Sequence, residues 1–255
     1  MAFNQNELII DRVRSLTAHD LSTGEMLFRL TSLEDPSLSC TAESEEVVDA
    51  IGATITNLYR AKKATFSASN SLISLDLAAA QFGTKKEITA DGGIVVPTYE
   101  VLDVKDGKVT LSKTPVGEIK YIYALVNGGI ATRYEASAAA AADKFAIDCA
   151  EITVPTDVTG KIYVEYEYSS ENANRIVNKT SEFPEACSMK IYAYFRDKCN
   201  ENIVYSGVIV ANKAKLNPES VELALTSTGK HAFEFQMMRD YCDEDAELFS
   251  IIVAE

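Results

Sequence analysis

The sequence is poor in the residues that most enzymes and metal sites need. Its 255 residues include two histidines, five cysteines and no tryptophan. His19 and His231 lie far apart in the chain, and no Cys-x-x-Cys, Gly-x-Gly-x-x-Gly, His-Glu-x-x-His or Gly-x-Ser-x-Gly motif occurs. Zinc sites, dinucleotide-binding loops and nucleophile elbows depend on such spacings. The sequence therefore predicts a protein that is not an enzyme and holds no metal or cofactor.

Basic residues are scarce as well. The chain has 24 Lys and Arg against 38 Asp and Glu, a formal net charge of −14. Gripping nucleic acid through its phosphates, or docking on an anionic membrane, requires clustered bases. No stretch reaches 18 apolar residues, and the N-terminus lacks the basic and apolar regions of a signal peptide. With widely spaced cysteines of odd number, these features predict reduced thiols, an intracellular origin and no membrane contact.

What the sequence does contain is a series of short, alternating strand patterns. Hydrophobic residues make up 47% of the chain, with 12 Tyr and 10 Phe, which is typical of a folded protein. The polar segment 196–202 joins two strand patterns into a long hairpin with a seven-residue tip. A helix is predicted over 70–82, capped by Asn70 or Ser71 and ended by Gly83. The strand patterns cover residues 24–31, 63–67, 162–168, 186–195, 203–211, 221–226, 232–237 and 248–253.

The domain organisation is predicted from a change in the sequence pattern near residue 92. From there to residue 170, turn signals recur every 8–12 residues or so, as in a small β-sandwich. We predict an inserted immunoglobulin-like β-sandwich at 93–170, with residues 1–92 and 171–255 folding together. A single uninterrupted domain is the alternative. The predicted fold class is all-β and mainly antiparallel, a sandwich or barrel with one or two short helices.

Two loose patterns resemble catalytic groups. Ser227 and Lys230 match the bare Ser-x-x-Lys pattern of some acyl-transfer enzymes, but they lie in a predicted hairpin turn. His231 and Cys242 offer a base and a nucleophile, yet a turn-flanking histidine and a packed cysteine are the commoner roles. We interpret all four residues as structural.

An acidic cluster and a tyrosine stripe are candidate binding features. The cluster lacks the central glycine and terminal glutamate of a calcium loop, so a solvated acidic face is the better interpretation. The stripe could stack sugars or bases, but tyrosine also suits a half-buried sheet or a subunit contact. The acids are Asp240, Asp243, Glu244, Asp245 and Glu247, and the tyrosines are Tyr163, Tyr166, Tyr168, Tyr192 and Tyr194.

The C-terminal arrangement carries a resemblance to a known family. A long hairpin over 186–211 leads through a polar link to the alternating segment 219–226, then Gly229, Phe233-Glu234-Phe235 and a last apolar strand. Together with residues 61–70 and the helix-like segment after them, this order resembles the major tail, or tail tube, proteins of tailed bacteriophages. Residues 93–170 look like the immunoglobulin-like insertion that some of these proteins carry.

The resemblance implies a structural protein of the virion tail that is assembled in the host cytoplasm. Tube proteins form stacked, hexameric rings, contact copies of themselves and other tail proteins, and let DNA pass without specific binding. It also implies that strands of the long hairpin form a sheet between subunits. The residues expected at that contact are Met189, Ile191, Tyr192, Tyr194, Val204, Tyr205, Val208 and Val210.

Ring stacking is expected to use two further segments. The hairpin tip at 196–202 would contact the next ring, and residues 34–58 would form a flexible loop that orders on stacking. In the channel that the resemblance implies, the acidic excess, with six acids and no base over 240–255, would give a negative lining to which DNA does not stick. The residues expected to contribute to stacking are Arg196, Asp197, Lys198, Asp35, Glu43, Glu45 and Glu46.

An alternative of a different class remains open on the sequence alone. The chain could be a capsid decoration protein or a β-sandwich protein that binds a surface or a glycan. Binding of capsids or carbohydrate by the 93–170 module, in a chain that never polymerises, would favour it.

Overall fold

The computed structural model describes residues 7–89, 93–198, 200, 202–219, 221–226, 229–241 and 247–254. These residues form strands throughout and one short helix, so the predicted all-β class is confirmed. The elements are β1 (Leu8–Asp20), β2 (Met26–Leu30), β3 (Leu33–Val48), β4 (Thr54–Asn70), α1 (Leu75–Phe82), β5 (Glu87–Ile88), β6 (Ile94–Asp103), β7 (Lys108–Thr110), β8 (Tyr121–Val126), β9 (Gly129–Ala136), β10 (Lys144–Asp148), β11 (Glu151–Thr153), β12 (Lys161–Ser170), β13 (Asn174–Arg175), β14 (Ala186–Asp197), β15 (Val204–Leu216), β16 (His231–Met237) and β17 (Ser250–Ala254).

The described residues divide into two compact units. The large-sheet unit combines the residues up to Lys86 with those from Ile176 onward, and the inserted unit is the segment Glu87–Arg175. The predicted boundaries after residues 92 and 170 lie within six residues of these divisions. That residues 93–170 form an independently folding module remains a prediction.

One sheet organises the large-sheet unit. Its strand order is β2-β1-β14-β15-β16-β4-β3, and β17 pairs with β15. All of its described pairings are antiparallel. β15 is long enough to pair with two strands on the side away from β14: its last residues pair with β16 and its first half pairs with β17.

The core of the large-sheet unit explains why the alternating patterns become strands. Residues 186–197 alternate between inward and outward positions, and Met189 and Ile191 are at most 1% exposed. Phe235 is fully buried and lies opposite Phe66 in the β16–β4 ladder, while its ring stacks 6.3 Å from that of Phe28. Each such side chain contributes about 1.5–3 kcal/mol when removed from water. A slip of one residue would turn this face toward solvent.

Helix α1 is shorter than predicted and begins at a different cap. Ser74 is the N-cap, its Oγ accepting a hydrogen bond from the Leu77 N–H at 3.3 Å, whereas Asn70 ends β4. Gly83 ends the helix with φ at 69°, as its left-handed C-cap position requires. The predicted cap at Asn70 or Ser71 is therefore wrong, and the predicted glycine end is confirmed. In the described part of the chain, no helix is long and apolar enough to cross a membrane.

The inserted unit has its own sheet and its own core. Its strand order is β6-β12-β8-β9-β10-β11-β7, with β9 and β10 parallel and the other pairs antiparallel. The inward residues Ile162, Val164 and Tyr166 of β12 alternate with outward ones, as the tyrosine-rich pattern predicts. A two-stranded ladder of β5 and β13 joins the two ends of the segment.

Three local predictions are wrong. Residues 34–58 are not a loop, because they belong to β3, β4 and the turn between them. The hairpin tip is shorter than seven residues, because residues 196 and 197 are the last of β14. Residues 221–226 are not a full strand: among the described residues they form the isolated bridge Leu223–His231, and Ser227 and Thr228 of the predicted turn lie outside those residues.

Candidate assembly interface

The predicted inter-subunit hairpin lies in the middle of the large sheet. β14 pairs with β1 and β15, so both of its sides are used. Met189, Ile191 and Tyr205 are at most 2% exposed and belong to the core. The structure therefore restricts the predicted contact surface to the outward-facing members, which are partly or largely exposed. They are Tyr192, Tyr194, Val204, Val208 and Val210.

The residues predicted at the hairpin tip contact the N-terminal strand or are buried. Arg196 Nε lies 2.9 Å from Asp11 Oδ1, and this hydrogen bond lowers the pKa of Asp11. Lys198 forms an ion pair with Glu7. Asp197 is 7% exposed, so it offers little surface to a partner. These contacts hold the tip of the hairpin to β1.

The outward face beside this hairpin carries basic residues that the net charge conceals. Arg12 and Arg14 of β1 lie over the ring of Tyr194, with their guanidinium carbons 5.6 and 5.8 Å from its centroid. Such cation–π contacts are electrostatically favourable and fix the direction of both side chains. Lys190 is half-buried on the same face of β14. The sequence contained one signal for this surface, the Arg-x-Arg spacing of a strand, and composition alone missed it.

The hairpin of β3 and β4 has an outer half that the core does not touch. We call residues 41–63 the arm. All of its residues are exposed except the half-buried Asp49. Large apolar side chains are among them: Val47, Val48, Ile51, Ile55, Leu58 and Tyr59 are between 36% and 90% exposed. Patches of this kind in a folded chain mark interaction surfaces.

The arm is held in strand form by its own cross-strand contacts. Glu43 Oε1 lies 3.1 Å from Lys63 Nζ, and Glu45 Oε2 lies 3.3 Å from Arg60 Nη2. At the turn, Asp49 Oδ1 accepts hydrogen bonds from two backbone N–H groups, and Gly52 has φ at 84°. Asp35, at the other end of β3, has φ at 50° beside a bulge that shifts the ladder. The predicted stacking residues Asp35, Glu43, Glu45 and Glu46 thus all lie on one strand.

No described ladder closes the large sheet, although β1 and β3 of the same chain contact each other. At one end, β3 pairs with β4 alone; at the other, β2 covers Leu16 to His19 of β1. The segment Leu8–Ser15, which we call the free segment of β1, pairs with β14 on one side and with no described strand on the other. Unpaired strand edges are templates for another strand.

The cysteines differ sharply in access. Cys40 is exposed on β3 and Cys149 is exposed in the inserted unit, whereas Cys187 is buried in the core. Burial raises the pKa of the Cys187 thiol to about 12, so this thiol stays protonated and unreactive. Cys199 and Cys242 lie outside the described residues.

A model of the YomU/Tube protein family matches the chain over residues 8–251. The chain belongs to this family. The family is one of structural phage tube proteins, so the resemblance to tail tube proteins is confirmed and the chain is a component of the virion tail. A search of curated proteins found no match. The matched range spans both units of this tube protein.

The histidine singled out in the sequence supports the fold of the YomU/Tube chain. His231 is fully buried, its Nδ1 accepts a hydrogen bond from the Ser74 N–H at 3.4 Å, and its Nε2 lies 2.6 Å from Gln81 Oε1. These contacts assign the proton to Nε2 and join β16 to both ends of α1. Burial lowers the pKa of His231, so the ring is neutral at pH 7.

The other loose catalytic patterns lie partly outside the described residues of this tube protein. Lys230 forms an ion pair with Glu34, and its predicted partner Ser227 lies outside the described residues. Asp243, Glu244 and Asp245 of the acidic cluster also lie outside them. In the part of the chain that the structure describes, no three His, Cys, Asp or Glu side chains form a metal-binding group.

The tyrosine stripe of the tube protein divides between core and surface. Tyr166 is buried and donates a hydrogen bond to Glu100. Tyr163 lies on the outer face of the inserted unit, where its ring stacks on Tyr99 at 5.5 Å and is tilted against Tyr123 at 6.2 Å. Its hydroxyl donates to Glu165, which raises the pKa of Tyr163 to about 12. The aromatic cluster is thus built from three strands of one sheet.

Proposed function

We propose that this protein assembles with copies of itself into stacked rings, hexameric by the family resemblance, that form the tail tube through which phage DNA passes. The observation that carries the proposal is that the large sheet has two open ends of different sequence. Among the described residues, β3 pairs only with β4 and the free segment of β1 only with β14, so each has one unpaired edge. Ring formation would pair both and remove the exposed edges.

The two ends differ, and this decides the kind of assembly. A contact between unlike surfaces is head-to-tail, so it repeats from copy to copy and closes into a ring when the rotation allows. The outward-facing residues of the β14–β15 hairpin, such as Tyr192 and Val208, lie beside the β1 end and extend the contact. Family membership over residues 8–251 supports the same conclusion.

The outer part of the arm, residues 47–59, is the proposed contact between rings. Its exposed apolar residues have no core to pack against in the single chain, and the acids Glu43, Glu45 and Glu46 precede it on β3. A hairpin of this length is marginally stable when isolated from a sheet or a partner. Contact with the next ring, aided by Lys198 at the hairpin tip, would bury the apolar side chains. Other tail proteins would bind the rings at the ends of the tube.

Electron microscopy of the purified protein tests the proposal. We expect rings or tubes at high concentration, or after addition of a tail-initiation complex. A variant in which residues 47–56 are replaced by a two-residue turn should fold with an unchanged core and form rings but no stacked tubes. A wild-type chain that stays monomeric under every such condition would overturn the proposal.

The aromatic cluster of the inserted unit favours a second candidate function, binding to a surface glycan. Tyr99 is 64% exposed and Tyr163 stacks against it. Exposed aromatic rings next to carboxylates can stack on sugar rings and accept their hydroxyl protons. The paired variant Tyr99→Ala and Tyr163→Ala in the full chain would abolish binding to host-cell glycans if this candidate is right, and leave tube formation unchanged.

A further inference from the structure

We propose that β3 of one copy docks beside the free segment of β1 in the next copy, and that opposite charge selects this pairing. The inference rests on the proposed self-assembly and names the two surfaces that meet. It follows from the charge pattern of the two open ends of the large sheet.

The first surface, β3, is acidic along its length. Leu33–Val48 contains five acids and no base: Glu34, Asp35, Glu43, Glu45 and Glu46. Its outer edge is open in the described residues, and its last eight positions are all exposed. The neighbouring bases Arg60, Lys62 and Lys63 lie on β4, one strand further from the open edge.

The second surface, the free segment of β1, has the opposite character. Leu8–Ser15 contains Arg12, Arg14 and one acid, Asp11. The Asp11 carboxylate is already hydrogen-bonded to Arg196 at 2.9 Å, and Arg12 Nε lies 3.9 Å from its other oxygen. Arg14 is exposed, and the Arg12 side chain is 72% exposed. The segment therefore carries an excess of positive charge, on the face of the sheet where both guanidinium groups lie over Tyr194.

Charge discriminates among the possible pairings of open edges. Two β3 strands side by side would bring acids against acids, and directly opposed like charges destabilise a strand pair. Two β1 segments would bring arginines together. Pairing β3 with β1 avoids both arrangements, so the charges favour a head-to-tail assembly over a two-fold dimer.

The ion pairs within the arm leave the acids of β3 available to the strand of another copy. Exposed pairs such as Glu43–Lys63, with side chains 71% and 67% exposed, are weak and exchange partners readily. They do offer an exact means of testing the idea. Exchanging the members of the pairs moves the acids from β3 to β4 without changing the composition of the protein.

The test variant combines Glu43→Lys, Lys63→Glu, Glu45→Arg and Arg60→Glu. It keeps the net charge and both cross-strand pairs, but makes the outer part of the β3 edge basic. We expect the fold, checked by thermal unfolding, to be retained and ring or tube formation to be lost. A second variant, Arg12→Glu with Arg14→Glu, should also fail to assemble because both of its edges are acidic.

An equal mixture of the two variants supplies the decisive measurement. Each basic β3 edge can then dock on an acidic β1 segment, and each remaining acidic β3 edge can dock on an unchanged arginine segment. We expect assembly to return in the mixture, with the two variants alternating around an even-numbered ring, as quantified by sedimentation and negative-stain counting. A purely structural role for these residues would not produce rescue.

Arg133→Glu in the inserted unit is the matched control. Arg133 lies over the ring of Tyr121 at 4.6 Å, much as Arg12 lies over Tyr194, but outside the proposed interface. This variant should assemble like the wild type.

If the exchanged-pair variant does not fold, Glu43→Gln with Glu45→Gln and Glu46→Gln takes its place, with an expected increase of at least about tenfold in the concentration needed for assembly.

The outcomes separate this inference from the proposed function. Wild-type tubes together with unimpaired assembly of both charge variants would overturn the inference and leave the function standing. Failure of the mixture to assemble, when each variant is folded, would also overturn it. Absence of rings and tubes in the wild type would overturn the proposed function itself.

Discussion

The two halves of β4 show what burial explains and what it does not. From Ala64 to Asn70 the residues alternate between buried and partly buried, and the strand lies between β16 and β3. From Thr54 to Lys63 every residue is exposed, yet the strand continues without a break. The first half is stabilised by the core. The second half is stabilised by its partner strand alone, which indicates a surface made for contact with another molecule.

Removing a side chain from each half should give the largest contrast. Phe66 is 2% exposed and packs near Phe233, so Phe66→Ala should lower the free energy of unfolding by about 3–5 kcal/mol. Tyr59 is 72% exposed, so Tyr59→Ala should change it by about 0.5 kcal/mol or less. Urea unfolding of both variants checks this. Equal losses in the two variants would mean that the arm packs against the core in solution.

Hydrogen exchange should show the next largest difference. In the monomer, amides of β4 between Thr54 and Lys63 should exchange at least about a hundredfold faster than those between Ala64 and Asn70, because opening of the arm disturbs no core contact. Assembly should slow the exchange of the outer amides selectively. Mass spectrometry of peptic fragments measures both states. Uniform exchange along β4 in the monomer would remove the distinction between the halves.

The pH dependence of stability that His231 causes in the core should be a smaller effect than the two above. It should only lower stability as the pH falls. Burial lowers the pKa of His231 below its ordinary value of 6.5, so the unfolded chain binds the proton more readily than the folded one. The contribution of neutral His231 to the free energy of unfolding is therefore complete above pH 6.5, and it decreases as the pH falls below that value. Thermal unfolding of the wild type and of His231→Gln at several pH values tests this. The variant should be less stable at neutral pH and should lose less stability on acidification.

The ion pairs of the arm should have the smallest effect. Lys63→Ala removes the contact with Glu43, and exposed pairs of this kind contribute about 0.2–1 kcal/mol at most. The unfolding midpoint of the monomer should hardly change, and the change should be smaller still at high salt. Lys108→Ala, which breaks the exposed pair with Glu151 in the inserted unit, is the matched control. A large loss for Lys63→Ala alone would show that the arm is needed for folding.

Sequence patterns predicted the fold best where one face of a strand is buried. The hairpin was predicted from two β-rich runs, 186–195 and 203–211, and Met189 and Ile191 of the first run face the core. Residues 34–58 were expected from the family resemblance to form a loop. Both faces of the arm are exposed, so no alternation in the sequence indicates its strands. The start of α1 depends on the contact between Ser74 and His231, which are 157 residues apart in sequence. No local pattern carries that information.

The sequence indicated only some residues of the candidate interface. The acids of β3 were recognised from their charge, although their strand structure was not. Arg12 and Arg14 were missed because their importance depends on β1 standing at an open end of the sheet, and edge position is a property of the whole topology. Net charge, averaged over the chain, concealed a local excess of the opposite sign.

The exposed Cys40 thiol on β3 provides a natural probe for the formation of the proposed interface. Cys40 lies on the strand expected to become covered, Cys149 lies in the other unit, and Cys187 is protonated and enclosed. A maleimide pulse during assembly, read out peptide by peptide, should therefore show labelling of Cys40 falling with time while labelling of Cys149 stays constant. The ratio of the two would follow polymerisation without any engineered probe.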